Sequence, residues 1–135
     1  MRIFETNSEE ETIAVGEVIA RELPRRCVVL LEGNLGAGKT TVTKGIANAL
    51  GEDPNEVSSP TFTLIHEYGA RLVHVDLYRL ESDREFATLG LEEYFDMERI
   101  VLIEWGGKFR HLLPADAREI RIEHRGGDQR RITFT

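Results

Sequence analysis

The run Gly33-Asn34-Leu35-Gly36-Ala37-Gly38-Lys39-Thr40-Thr41 restricts what this chain can fold into more than any other stretch. It has the form G-x-x-x-x-G-K-[ST], and it lies between an apolar run, Cys27-Val28-Val29-Leu30-Leu31, and a helix-like segment from Val42 to Leu50. A buried strand, a glycine loop and a helix in that order are the context in which the motif has physical meaning. The glycines let the backbone fold back so that successive N–H groups point inward and cradle phosphate oxygens. The helix opening at the loop adds its positive end. Lys39 then reaches the β- and γ-phosphates, and the Thr40 hydroxyl is placed to ligate Mg²⁺, which keeps most of its water and needs few protein oxygens. Gly33, Asn34, Leu35, Gly36, Ala37, Gly38, Lys39, Thr40 and Thr41 are therefore the expected nucleotide-binding residues, with Lys39 also in a catalytic role. The same glycines do not spell the dinucleotide fingerprint, because Lys39-Thr40-Thr41 follows Gly38 and the third glycine of G-x-G-x-x-G is missing.

The rest of the chain bounds the class. At 135 residues it is expected to form one domain, residues 1–135, with room for a real core but not for a second substrate domain. A net charge of −7 argues against free-standing, non-specific nucleic-acid binding, which needs a cationic surface. The lone Cys27 cannot pair within the chain and reads as a buried, inert thiol suited to a reducing compartment. No apolar run reaches membrane-spanning length and the first residues lack a signal peptide's apolar region, so a cytoplasmic location is expected.

Taken in order, Arg2 to Thr6 reads as a short strand, and Ser8-Glu9-Glu10-Glu11 as a capping box opening a helix to about Leu23, with Ile13, Ile19 and Leu23 on its apolar side. Gly51 after Leu50 suits a helix end. Glu52 to Pro60 is a polar loop; Phe62 to Tyr68 and Arg71 to Leu77 read as strands about a Gly69-Ala70 turn. Ser82-Asp83-Arg84-Glu85 caps a short helix that Gly90 interrupts, and Ile100 to Ile103 reads as a strand buried on both faces. Arg118 to Arg125 and Arg130 to Thr135 form a closing hairpin. The pattern is an α/β P-loop NTPase: a mixed, mostly parallel central sheet flanked by helices, with antiparallel hairpins.

Such a loop needs an acid near the metal, at the carboxyl end of a neighbouring strand. Two strands end that way, Leu72-Val73-His74-Val75-Asp76 and Ile100-Val101-Leu102-Ile103-Glu104. Asp76 is the choice for the metal shell; Glu104 either joins that shell or orients the attacking water. His74 and Asp76 are two apart and share a strand face. A His–Asp metal site would need a third ligand that nothing specifies, and the plainer reading is a hydrogen-bonded histidine holding the acid. Thr61 in Ser-Pro-Thr is either a γ-phosphate sensor or the turn into a strand. Trp105 packs over the nucleotide or the acid, or anchors the strand end.

These segments together resemble one family. Gly33 to Thr41, Ser59-Pro60-Thr61-Phe62-Thr63-Leu64, His74-Val75-Asp76-Leu77-Tyr78-Arg79-Leu80, Ile103-Glu104-Trp105 and Leu112-Leu113-Pro114 match, in order, the TsaE (YjeE) family, the ATPase of bacterial tRNA threonylcarbamoyladenosine biosynthesis. The resemblance implies a small P-loop fold that binds ATP and Mg²⁺ and hydrolyses ATP slowly alone. It implies metal-side roles for Thr40, Asp76 and Glu104, and TsaB and TsaD as partners, TsaD modifying adenosine 37 of tRNA. The family arrangement also puts the nucleobase between the start of the first helix and the C-terminal hairpin, with Ser8 and Arg125 as candidates. The chain departs from the family after Glu-Trp, where Gly106-Gly107-Lys108-Phe109-Arg110 implies a more mobile loop.

Two other functions use the same cradle. A small-molecule kinase would need a second pocket and an arginine-bearing lid, for which only Arg79, Arg84, Lys108 and Arg110 are at hand. A nucleotide-gated interaction module would bind partners with little intrinsic turnover. A regulatory GTPase is unsupported, since neither N-K-x-D nor D-x-x-G occurs.

Overall fold

The structure is a computed structural model that describes residues 1–34, 36–57 and 64–135. Strands β1 (Arg2–Thr6), β2 (Cys27–Glu32), β3 (Ile65–Tyr68), β4 (Leu72–Asp76), β5 (Ile100–Glu104), β6 (Arg118–Gly126) and β7 (Gln129–Phe134) form a 7-stranded sheet in the order β1-β7-β6-β2-β5-β4-β3. The central strands β6, β2, β5 and β4 run parallel, and the outer pairs β1–β7, β7–β6 and β3–β4 are antiparallel. This is the mixed sheet expected from the sequence. Strand β2, which leads into the glycine loop, and its neighbour β5 are apolar up to their final glutamates because both faces are covered.

One face carries α1 (Glu9–Glu22) and α2 (Lys39–Ala49), packed over Val29, Leu31, Leu72, Leu102 and Ile120. The other carries α3 (Asp83–Thr88), α4 (Leu91–Phe95) and a 3₁₀ segment, Gly107–Leu112, over Leu30, Val73, Val75, Val101 and Ile103. The capping signals hold: Ser8 accepts from the Glu11 amide and Ser82 from the Glu85 amide. The reciprocal arm of the first box differs, since the Glu11 carboxylate takes the Asn7 amide at 2.8 Å. Phe62 and Thr63, the expected start of β3, lie outside the described residues.

The buried stripe of α1 is Thr12, Val15, Gly16, Ile19 and Ala20, with Ile13 and Leu23 only at its margin. Of the apolar side anticipated from Ile13, Ile19 and Leu23, Ile19 is fully buried and Leu23 packs against the core, while Ile13 is half-buried because the close approach of α2 falls on Gly16. A methyl on Gly16 would overlap the Val42 carbonyl of α2, and one on Gly45 would overlap the Ile13 carbonyl of α1. Two bare backbones touch there, and that crossing seats α2, with the loop before it, against the sheet.

The Gly106–Arg110 stretch is pinned rather than free-standing. Phe109 is buried and stacks on Phe86 with ring centroids 5.3 Å apart, and Lys108 donates to the Leu80 carbonyl at 2.7 Å. Cys27 is buried, and desolvation raises its thiol pKa, as an inert role requires. Among the described residues no helix is long and apolar enough to cross a membrane.

Candidate functional site

Strand β2 ends at the middle of the sheet, and the chain turns there through Gly33, where an added Cβ would lie 2.9 Å from the Ile122 carbonyl oxygen of β6. The Ala37 amide closes the loop on the Asn34 carbonyl at 2.9 Å. Gly36 and Gly38 have φ of 79° and 110°, a region that L side chains avoid, so the loop's path depends on these two glycines. Gly38 is the N-cap of α2 and its carbonyl accepts from the Val42 amide at 3.0 Å.

No side chain caps α2 and no acid stands in its first turn, whereas α1 and α3 have both. The leading amides of α2, from Lys39 to Thr41, therefore have no acceptor from their own helix. An anion is what this end of the helix is built to take. That donor set fits a polyphosphate.

The expected acids meet at this end of the sheet. Asp76 and Glu104 are register partners on the adjacent strands β4 and β5. Lys39 Nζ lies 3.4 Å from Glu104 Oε1, and His74 Nε2 lies 2.5 Å from Glu104 Oε2. All four side chains are buried. Trp105 takes φ of 59°, which no bulky residue adopts without cost, and its ring sits 4.6 Å from Lys39 Nζ and 5.0 Å from the Tyr78 ring. The indole thus packs against Lys39 and Tyr78, contacts that none of the sequence alternatives for Trp105 named.

The partner of His74 corrects the sequence reading. The imidazole holds Glu104, across the strand pair, and not Asp76 on its own strand. Side chains two apart on a strand share a face but stand side by side. A long glutamate from the neighbouring strand reaches the ring; a short aspartate does not. Asp76 Oδ1 instead accepts from the Tyr78 amide at 2.9 Å. Among the described residues, His74 Nδ1 is buried with no hydrogen-bond partner.

Burial alone would raise both acids, and the two end up apart. Asp76 is raised, first by desolvation and also by the charge of Glu104, against the Tyr78 amide, His74 and Lys39. Glu104 feels the stronger desolvation, yet the His74 hydrogen bond and charge, with Lys39, together outweigh it and hold the carboxyl below its ordinary range. A carboxylate kept ionised beside a lysine, and a second under strain to stay ionised, fit a site waiting for a divalent cation. Asp76 ends β4 and Thr40 lies in the first turn of α2, and these two side chains could hold such a cation.

Because the folded-state pKa of Asp76 is raised, its ionisation costs stability at neutral pH, and that cost vanishes as pH falls below the ordinary carboxylate range. Asp76→Asn should therefore stabilise the ligand-free protein at pH 7 by a few tenths to about 1 kcal/mol, the scale of a like-charge pair across strands. The gain should disappear in acid, where both states are protonated. Thermal unfolding at the two pH values measures it; a loss of stability at pH 7 would contradict this account.

The remaining candidates fall around the loop. Thr41 and Ser8 line a cavity of about 190 Å³ with Thr12, Gly38, Asp128 and Arg130. Arg125 lines a different one, about 430 Å³, with Gly33, Asn34, Trp105 and Glu123. Among the described residues, Ser8 and Arg125 thus line two different cavities beside the loop. Leu35 and Thr61 lie outside the described residues. A further cavity of about 460 Å³ opens at the opposite end of the sheet, beside Cys27, Asp116 and Arg118, away from this chemistry.

Sequence reasoning missed Arg130 on β7, whose guanidinium donates to the Ala37 carbonyl of the loop at 2.8 Å. No local signal marks it. Its only hint is that it sits next to the hairpin turn, and the hairpin's place beside β2 is a matter of topology.

The comparisons with known proteins agree on one family. The family described as threonylcarbamoyl adenosine biosynthesis protein TsaE matches residues 6–132. The tRNA threonylcarbamoyladenosine biosynthesis protein TsaE of Bacillus subtilis (strain 168) is 44% identical over 135 residues, 98% of this chain and 84% of that protein. The protein of the same name from Aquifex aeolicus (strain VF5) is 43% identical over 127 residues, 85% of this chain and 90% of the other. Among solved structures, that of Bacillus subtilis YdiB superposes with a TM-score of 0.78 at 38% identity, covering 98% of this chain and 83% of that one.

Proposed function

Because the chain belongs to the TsaE family of tRNA threonylcarbamoyladenosine biosynthesis, we propose that it is an ATP-binding, Mg²⁺-dependent ATPase serving that modification in the cytoplasm with TsaB- and TsaD-like partners. The observation that carries the proposal is the meeting of Lys39, Glu104 and Asp76 in front of an uncapped helix N-terminus. The loop amides and Lys39 bind the β- and γ-phosphates. Thr40 and Asp76 would hold the magnesium ion, which would neutralise charge on the phosphate oxygens when bound. Glu104, oriented by His74 and kept ionised, positions the attacking water rather than joining the metal. Lys39 leaves Glu104 for the phosphate, freeing that carboxylate oxygen for the water.

A net charge of −7 disfavours free-standing nucleic-acid binding, so tRNA contact would come chiefly through the partners. Turnover measured with and without TsaB- and TsaD-like proteins and tRNA tests the assignment. A rise on their addition supports the partner-dependent ATPase. Flat turnover with nucleotide-dependent association would favour a gated interaction module, and γ-phosphate transfer to a small acceptor would favour a kinase.

Lys39→Ala should weaken MgATP binding roughly 10- to 100-fold, the loss of a charged hydrogen-bonding group to phosphate. Trp105 is the chain's one tryptophan and has the Lys39 ammonium over its ring, so its emission should change when MgATP draws that cation away. Lys39→Ala should abolish the change. Unaltered emission on saturating the wild-type protein would show that Lys39 does not leave Trp105.

A further inference from the structure

We propose that Arg130 is a positioning residue for the phosphate cradle: it holds the Ala37 carbonyl outward and thereby turns the Gly38 N–H into the loop. The proposal rests on the reading of this loop as a polyphosphate site. Arg130 Nε donates to the Ala37 carbonyl at 2.8 Å, and Nη1 donates to the Gly127 and Gln129 carbonyls at 2.7 and 3.0 Å. One guanidinium therefore ties the P-loop to the β6–β7 turn, across 93 positions of sequence.

The peptide between Ala37 and Gly38 is trans and planar, so its carbonyl and its N–H point in opposite directions. Fixing the first fixes the second. The peptide needs such a lock, because a glycine follows it: Gly38 sits at φ of 110°, and a residue without Cβ crosses easily between positive and negative φ. A flip there would present a carbonyl oxygen to the phosphate in place of a donor. The helix supplies no side-chain cap that could hold the peptide. The arginine also lies against Gly38, where an added Cβ would be 3.5 Å from Nε. A charged donor makes the stronger bond to the carbonyl, and the planar fork resists rotation.

The test uses the full chain with Arg130→Met and Arg130→Lys, titrated with MgATP, MgADP and inorganic tripolyphosphate, while the Gly38 amide is followed by ¹⁵N–¹H NMR. Arg130→Met should weaken all of these ligands by about tenfold or more, tripolyphosphate included, since it lacks base and sugar. The Gly38 amide, which should move strongly downfield on ligand addition in the wild type, should respond weakly in the variant. Arg130→Lys, with a cation but no fork, should recover only part of the affinity. Should Arg130→Met fail to fold, Arg130→Gln carries the same comparison. Wild-type affinity for tripolyphosphate in the neutral variant, or an unchanged Gly38 response, would overturn the proposal. Full recovery by lysine would also overturn it, by assigning the effect to charge alone. Wild-type protein that binds none of these ligands would instead overturn the underlying reading of the loop.

Discussion

Glu104→Gln is expected to bind MgATP about as well as the unaltered chain and to hydrolyse it roughly 10²- to 10⁴-fold more slowly, the range lost when a positioned acid–base group is removed. The substitution keeps the length and shape of a side chain that sits between His74 and Lys39. It removes the carboxylate that those two groups hold in its ionised form. An amide still accepts from the His74 ring, so the strand ends stay in register and the cradle, which belongs to α2 and the loop, is untouched. Single-turnover hydrolysis, measured beside equilibrium binding, separates the two effects. Wild-type turnover would remove Glu104 from the chemistry. Lost binding with unchanged single-turnover chemistry would return it to the metal shell.

Gly45→Val is expected to destabilise the fold by about 3 kcal/mol or more, at the upper end of overpacking costs. Its Cβ would overlap the Ile13 carbonyl, a backbone atom that cannot swing aside as a side chain can. To admit it, α1 and α2 must separate and open the core around Val15, Ile19 and Ile46. Against a total stability of about 5–15 kcal/mol this is a large fraction. Denaturant midpoints measure it, with Gly107→Ala as the control, because a methyl at Gly107 meets only Glu32 Oε1 at 3.8 Å. Equal stability of the two variants would mean that the helices do not cross on their glycines. A moved α2 carries the phosphate loop with it, so nucleotide affinity should fall along with stability.

Much of the site was legible because its signals are local. The apolar run before Gly33, the glycines, and Lys39-Thr40 together imply strand, loop and helix within a single window. Asp76 and Glu104 are each the polar end of an apolar strand, so both could be named before their strands were known to be neighbours. The capping serines were legible for the same reason.

What stayed hidden involves residues that meet only after folding. The pairing of His74 with Glu104 depends on which strand lies beside β4 and in which register, and periodicity along one strand is silent about that. The buried stripe of α1 turned on Gly16, which has no apolar side chain for a pattern to register, only the absence of one where another backbone passes. Ser8 and Arg125, taken from a family arrangement, lie in separate cavities, while Arg130, which bonds the loop, carried no local motif, only its place beside the hairpin turn.

By itself, then, the amino-acid order determined the chemistry available to this protein: a glycine-hinged run of amides, a lysine, and two carboxylates at strand tips, each marked within its own short stretch of chain. Only the tertiary structure decided how those groups are aimed, with a histidine behind one acid, an indole over the lysine and an arginine from the far end of the chain on the loop. The physical reason is that aim is a property of contacts between segments. Those contacts are set by the order and register of strands and by the close approach of two helices, quantities to which each segment's own composition is nearly indifferent.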